Sequence, residues 1–148
     1  IYEWIEWTIK YKKIIGNITK ESIAYVKNIA MLSFIILRKG KGMKVEDNFK
    51  VIENYLCIKM PKEIDHHNAG EISENADYFI CHENINSIVF DFEDTEFMDS
   101  SGIGILVGRY KKISYFNGKV YAVHASTQIR KILHMSSLQR IIEIVEEK

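Results

Sequence analysis

Over most of the chain, short apolar runs alternate with stretches in which apolar residues recur every three or four positions. Residues 49–52 and 55–60 form two such runs, rich in β-branched and aromatic residues, on either side of the polar pair Glu53-Asn54. Two runs of this kind around a two-residue break predict a β-hairpin. Pro61 ends the second strand, because proline cannot donate a hydrogen bond to a neighbouring strand.

Three segments have the periodicity of helices with one apolar face. The first helix is predicted to begin at Asp65, a favourable N-cap residue. The second is predicted to end at Asn117-Gly118, with the glycine in the left-handed conformation that closes many helices. The third is predicted to begin at Ser126. The three apolar faces comprise Ala69, Ile72, Ala76, Phe79 and Ile80, then Ile103, Leu106, Val107, Tyr110 and Ile113, and finally Ile129, Ile132 and Leu133.

Further strands are predicted between and after these helices. Residues 87–92 are a short apolar run typical of a buried central strand, and residues 93–97 are predicted to form a loop. Residues 119–124 and 141–145 supply the last two strands. The predicted order is therefore β-β-α-β-α-β-α-β. This alternation predicts an α/β fold, in which helices pack on a mixed β-sheet.

The charges are distributed unevenly along the chain. The formal net charge is zero, so the whole chain has no basic character that would favour nucleic acid. Residues 1–42 carry eight Lys/Arg and three Glu, a net charge of +5, and residues 43–148 carry a net charge of −5. The longest apolar run, residues 29–37, is shorter than the roughly 20 residues that span a bilayer. We therefore expect neither nucleic acid nor membrane as a partner.

The folded domain is predicted to begin at Met43. A Lys- and Gly-rich string, residues 38–42, directly precedes this methionine, as the purine-rich codons of a translated ribosome-binding site would encode. We therefore expect residues 1–42 to be a non-native or upstream-translated leader and residues 43–148 to be the domain. The alternative is a basic, aromatic-rich amphipathic leader that binds a membrane or partner surface.

The segment most informative about function joins a strand to the second helix. Its sequence is Phe97-Met98-Asp99-Ser100-Ser101-Gly102-Ile103-Gly104. A helix start offers unpaired N–H groups and the positive end of the helix dipole, so it tolerates negative charge, phosphate included. Phosphorylation of a serine there would add about −1.5 to −2 charges beside Asp99. The residue types leave a second interpretation open, in which Ser100 and Ser101 only cap the helix.

Other kinds of chemistry fit the sequence less well. The glycines of this segment match neither the dinucleotide fingerprint nor a P-loop, and Ser101 does not lie in the G-x-S-x-G pattern of a nucleophile elbow. His66 and His67 are adjacent, without the spacing of known metal-binding motifs. Cys57 and Cys81 form no C-x-x-C motif and are predicted to be structural thiols in a reducing compartment. We therefore expect no enzyme activity, no cofactor and no metal.

Two motifs together resemble the STAS family, named for sulfate transporters and anti-sigma factor antagonists. The segment quoted above continues into Gly108-Arg109-Tyr110-Lys111 and is similar to the phosphorylation segment of sporulation-type anti-sigma factor antagonists. Glu63-Ile64-Asp65-His66-His67 is similar to the Glu-Leu-Asp-His-His segment of the same group. The two motifs have the family's separation. The resemblance covers about residues 43–145 and implies a STAS-like fold.

The resemblance also implies a role in transcription regulation, as a cytoplasmic phosphoprotein of sporulation. The unphosphorylated form would bind an anti-sigma factor serine kinase, which holds the nucleotide, and would thereby release the sigma factor. The kinase would then phosphorylate the antagonist with ATP, and a serine phosphatase of the PP2C type would reset it. The alternative is a STAS interaction module of a different signalling assembly, of the general stress type or a scaffold.

Motif position assigns the site residues. The resemblance implies that Ser100 accepts the phosphate. It places the contacts with the partner at Glu63, Asp65, His66, Asp99, Ser100, Ser101, Gly102 and Ile103.

Overall fold

The computed structural model describes residues 48–146 of the chain. Its first two strands, β1 (Phe49–Ile52) and β2 (Tyr55–Lys59), pair antiparallel. Glu53, in the two-residue turn between them, has a positive φ of 54°. Tight hairpin turns need such a conformation to match the twist of the strands. The predicted hairpin is confirmed.

The other elements alternate along the chain largely as the periodicity predicts. They are β3 (Glu63–Ile64), α1 (Ala69–His82), β4 (Ser87–Asp91), β5 (Phe97–Met98), α2 (Ser100–Ser114), β6 (Val120–Val123), α3 (Thr127–Met135), a 3-10 turn (Leu138–Arg140) and β7 (Glu143–Ile144). Within the described residues, a five-stranded sheet has the order β1-β2-β4-β6-β7. Strand β1 pairs antiparallel and the other neighbours pair parallel. The predicted mixed α/β sheet is confirmed.

The core lies between the sheet and the described helices. All five residues of the central strand β4 are buried. Helices α1, α2 and α3 contribute apolar side chains to one cluster with the sheet, and each fully buried Leu, Ile or Phe contributes about 1.5–3 kcal/mol. The predicted faces of α1 and α3 are confirmed. On α2, however, Ile105 is more deeply buried than the predicted Ile103, which is only partly buried.

Two short strands were not predicted. Strands β3 and β5 pair parallel in a separate two-stranded ladder, so Phe97 belongs to a strand and not to the predicted loop. Strands of two residues are too short to show a period in the sequence. The last strand, β7, is also shorter than predicted and follows the 3-10 turn.

Two predicted helix ends were wrong: the start of α1 at Asp65 and the left-handed glycine, Gly118, after α2. Helix α1 does not begin at Asp65, because its N-cap is Asn68. Helix α2 ends at Ser114, and the left-handed residue in the following turn is Asn117, with φ of 56°, not Gly118. A Cβ at Gly118 would clash with the backbone carbonyl of Asn86, so close packing explains this glycine. The predicted cap of α3 is confirmed, since Ser126 Oγ accepts from Ile129 N at 3.2 Å.

Two further predictions concern membrane spans and the boundary at Met43. None of the helices within residues 48–146 has both the length and the apolar character needed to cross a membrane. The predicted boundary at Met43 and the leader, residues 1–42, lie outside the described residues and stay predictions.

Candidate functional site

The small β3-β5 ladder joins the two motifs that the sequence singles out. Glu63 lies opposite Phe97 and Ile64 opposite Met98. Successive side chains of a strand point to opposite sides, and here Ile64 and Met98 are buried whereas Glu63 and Phe97 are exposed. The ladder therefore places the first two residues of both motifs side by side, with Glu63 and Phe97 on the surface.

Backbone hydrogen bonds hold this ladder at both ends. The carbonyl oxygen of Lys62 accepts from Glu96 N at 2.8 Å and from Phe97 N at 3.2 Å, and Asp99 N donates to Ile64 O at 3.0 Å. Residues that follow β3 thus stay beside the start of α2. This connection brings the acidic turn after Glu63 close to the segment that contains the candidate acceptor serine.

Asp99, and neither of the two serines, is the N-cap of helix α2. Its carboxylate accepts from Ser101 N at 2.7 Å, and its extended backbone suits the position. Ser100 is the first helical residue and is exposed, whereas Ser101 is half-buried. The interpretation of both serines as mere caps therefore fails. The Ser100 hydroxyl lies at the positive end of the helix dipole.

Gly102 brings helix α2 close to the ladder. A Cβ at this position would clash with the Met98 side chain and lie 3.2 Å from Ile64 Cγ2. Gly102 is buried, and Ile103, also predicted to contact the partner, is partly buried against the core. Close packing here fixes the position of Ser100 relative to β3.

The acidic turn after β3 is organised by its own side chains. Asp65 accepts from His67 N at 2.8 Å, and its other carboxylate oxygen lies 3.3 Å from His67 Nδ1. The backbone hydrogen bond from His67 is the main cause that lowers the pKa of Asp65, and the side-chain contact lowers the pKa further. The exposed His66 ring packs on His67, with 3.9 Å between centroids. Asp65 is therefore a carboxylate at neutral pH.

Asn68 connects this turn to β3, a role that sequence reasoning missed. Its Nδ2 donates to Glu63 O at 2.7 Å, and its Oδ1 accepts from Asp65 N at 3.1 Å. The side chain thus bridges the end of β3 and the start of α1. Asparagine is a residue that commonly bonds to nearby backbone in turns, and this is the signal that could have identified it.

Within residues 48–146, two groups of side chains have the composition of metal ligands. Asp65, His66 and His67 form one, and Asp91, Glu93 and His124 form the other, each with ligand atoms within 4.8 Å of one another. His124 Nδ1 lies 2.9 Å from Asp91 Oδ1, so a carboxylate already engages this imidazole. The expectation that the protein binds no metal stays a prediction.

Comparison with known proteins identifies the family. Residues 48–147 match the STAS domain. The chain belongs to the STAS domain family. Among its relatives, the anti-sigma F factor antagonist of Paenibacillus polymyxa is 30% identical over 93 residues, 63% of this chain and 80% of that protein. The anti-sigma-B factor antagonist of Bacillus subtilis is 26% identical over 110 residues, 69% of this chain and 92% of that protein.

Solved structures in this STAS family have the same fold. The unphosphorylated form of the anti-sigma factor antagonist SpoIIAA matches with a TM-score of 0.61 and 26% identity, over 67% of this chain and 87% of that chain. The phosphorylated form of Bacillus SpoIIAA matches with a TM-score of 0.56 and 26% identity, over 67% of this chain and 90% of that chain. Both phosphorylation states of SpoIIAA therefore share the fold described for residues 48–146.

Proposed function

We propose that this chain is an anti-sigma factor antagonist controlled by phosphorylation. Its unphosphorylated form binds an anti-sigma factor serine kinase and releases the sigma factor. Phosphorylation of Ser100 ends that binding, and a serine phosphatase of the PP2C type restores it. The observation that carries the proposal is the exposed Ser100 at the first position of α2, next to the ladder that pairs β5 with the motif beginning at Glu63. The names of the relatives support the same function.

The proposed partner surface combines the two motifs that the β3-β5 ladder joins. Asp99 provides a carboxylate directly before Ser100, Glu63 and Asp65 provide two more on β3 and the turn after it, and His66 lies exposed on that turn. Charge complementarity favours a partner surface rich in Lys or Arg. Ser101, Gly102 and Ile103 complete the predicted contacts.

Phosphate would change this surface by its charge. About −1.5 to −2 charges would be added directly after Asp99, on a proposed surface that already includes the carboxylates of Glu63 and Asp65. A partner that desolvates a neutral hydroxyl would meet a strongly hydrated dianion, which is costly to bury. The helix dipole offsets part of the charge within the chain itself. The switch thus acts on association while the domain stays folded.

Phosphorylation of matched variants tests the proposal. The full chain is incubated with an anti-sigma factor serine kinase and Mg-ATP, and the products are analysed by mass spectrometry. We expect a single phosphate on the wild-type protein and on Ser101→Ala, and none on Ser100→Ala. Phosphate on Ser101, or equal labelling of Ser100→Ala, would contradict the assignment.

Binding of the kinase provides the second measurement. Ser100→Asp places a permanent negative charge at the acceptor position, and we expect it to reduce affinity for the kinase at least tenfold relative to wild type. Ser100→Asn is the matched neutral control of similar shape, and we expect it to bind much more tightly than Ser100→Asp. Equal affinities for the two variants would rule out the charge mechanism.

A STAS module of the general stress type is the second candidate. The match to the anti-sigma-B factor antagonist of Bacillus subtilis favours it. Parallel titrations with a sporulation-type and a general-stress-type anti-sigma kinase separate the two candidates. Tighter binding to the sporulation-type kinase supports the first proposal, and tighter binding to the other kinase supports the second.

A further inference from the structure

Phe97 exposes a large apolar side chain on the β3-β5 ladder. It is 49% exposed, whereas its strand neighbour Met98 is 3% exposed. The pleat of β5 imposes this orientation, because Met98 must face the core. Phe97 lies opposite Glu63 on β3, only three positions before Ser100. An aromatic ring thus lies within the proposed partner surface.

Single exposed apolar residues are common on protein surfaces and need no explanation by themselves. Other exposed aromatic residues of the described part are Tyr78, Tyr115 and Phe116. Tyr78 stacks on His82 with 4.1 Å between centroids, and Tyr115 and Phe116 follow the far end of α2. Phe97 differs because it lies on the ladder that joins both motifs.

The backbone around Phe97 is held before any partner binds. Its N–H donates to Lys62 O at 3.2 Å, and Glu96 N donates to the same oxygen at 2.8 Å. Helix α3 also packs against β5. A side chain on a fixed backbone loses little further freedom on binding, which favours a strong contribution to affinity.

We propose that Phe97 is the apolar anchor through which the chain binds its anti-sigma factor, filling an apolar pocket on that protein. The inference rests on the proposed function and adds the chemistry of the partner. Aromatic residues at the centre of an interface, surrounded by polar groups that exclude water, commonly dominate binding energy. Here Glu63 and Asp99 supply polar groups of that kind.

This position also gives the phosphate a second effect. A phosphate on Ser100 would lie at the edge of the pocket that Phe97 enters. Such a group keeps its water, so it would oppose the dehydration that burial of the ring requires. Phosphorylation would then weaken the apolar contact as well as repel charge.

Binding of matched aromatic variants tests the inference. The affinity of the full chain for the anti-sigma factor kinase is measured by titration calorimetry without ATP. We expect Phe97→Ala to bind at least 30-fold more weakly than wild type. We expect Phe116→Ala, which removes an even more exposed ring (65%, against 49% for Phe97) elsewhere on the surface, to bind within threefold. Phe97→Leu keeps an apolar side chain and serves as the test if Phe97→Ala does not fold. We expect its affinity to lie between those of wild type and Phe97→Ala. Thermal unfolding verifies that each variant is folded.

The outcomes separate this inference from the function on which it rests. If wild type binds, Ser100→Asp does not, and Phe97→Ala and Phe97→Leu bind within threefold of wild type, the anchor is wrong and the switch stands. If wild type shows no binding to the kinase, the proposed function and the anchor both fail. A 30-fold loss of affinity for Phe97→Ala, together with an unchanged affinity for Phe116→Ala, supports both the anchor and the proposed function.

Discussion

The carboxylate of Asp99 accepts a hydrogen bond from the backbone N–H of Ser101 at 2.7 Å, so the residue next to the candidate acceptor caps helix α2. Capping of the helix and the proposed acceptance of phosphate thus belong to two different residues. Because Asp99 satisfies the helix end, Ser100 is not required as the cap. A modification of Ser100 can therefore change the surface without removing the interaction that starts the helix.

This arrangement predicts different stabilities for two neighbouring variants. Asp99→Ala removes the N-cap and should lower the free energy of unfolding by about 1 kcal/mol. Ser100→Ala should change it by no more than about 0.5 kcal/mol, because the side chain is exposed and is not the cap. Urea unfolding followed by circular dichroism measures both. An equal loss for the two variants would show that Ser100 shares the capping role.

Two glycines of α2 offer a matched pair for the packing at the site. A Cβ at Gly102 would clash with Met98, so Gly102→Ala should destabilise the protein by about 1–3 kcal/mol. A Cβ at Gly104 meets nothing within 4 Å, so Gly104→Ala should stabilise it by about 0.5–1 kcal/mol through helix propensity. Thermal unfolding compares the pair. The packing explanation fails if both substitutions stabilise the protein.

An ion pair between the buried Arg109 and the partly exposed Asp77 connects α1 to α2. Arg109 Nε lies 3.0 Å from Asp77 Oδ1, although the N–H is not aligned for a hydrogen bond. Burial lowers the pKa of Arg109, and the charge of Asp77 opposes this shift. We expect Asp77→Ala to lower the free energy of unfolding by about 3 kcal/mol, because it leaves a buried guanidinium without its carboxylate.

A paired substitution and a control test the origin of that loss by chemical unfolding. Asp77→Leu combined with Arg109→Met should recover most of the stability, since no buried charge remains. Lys112 Nζ also lies 2.6 Å from Asp77 Oδ2, but its side chain is 47% exposed, so Lys112→Ala should cost less than about 1 kcal/mol. Additive losses in the double variant would exclude the unpaired charge as the cause.

The two cysteines should differ in reactivity. Cys57 is buried and Cys81 is exposed. Burial raises the pKa of the Cys57 thiol, and the negative charge of Asp91 raises it further. A thiol-specific disulfide reagent should therefore modify Cys81 of the native protein in a fast phase. Both cysteines should react rapidly after unfolding. Cys81→Ser should abolish the fast phase, and a fast phase that persists would contradict the burial of Cys57.

Local errors in the sequence interpretation have a common origin. Asp65 is a favourable N-cap residue, yet Asn68 begins the helix because its side chain also bridges Glu63 and Asp65. Gly118 suits a left-handed position, yet Asn117 occupies it while Gly118 packs against Asn86. In both cases two nearby residues suit the local conformation, and further contacts distinguish them: Asn68 bonds to the backbone of the preceding turn, and Gly118 packs against a distant segment.

The sequence by itself determined the longer elements and the candidate acceptor. Short apolar runs predicted the hairpin and the central strand, and apolar periodicity predicted the three helices, because burial of one helix face leaves a regular pattern in the residues. The serine segment was recognisable because a helix start has its own chemistry, and the resemblance to the STAS family singled out Ser100 within it as the predicted acceptor. Only the tertiary structure decided the β3-β5 ladder, the cap at Asp99 and the exposure of Phe97. Strands of two residues have no period of their own, and they form here because distant segments supply their hydrogen-bond partners.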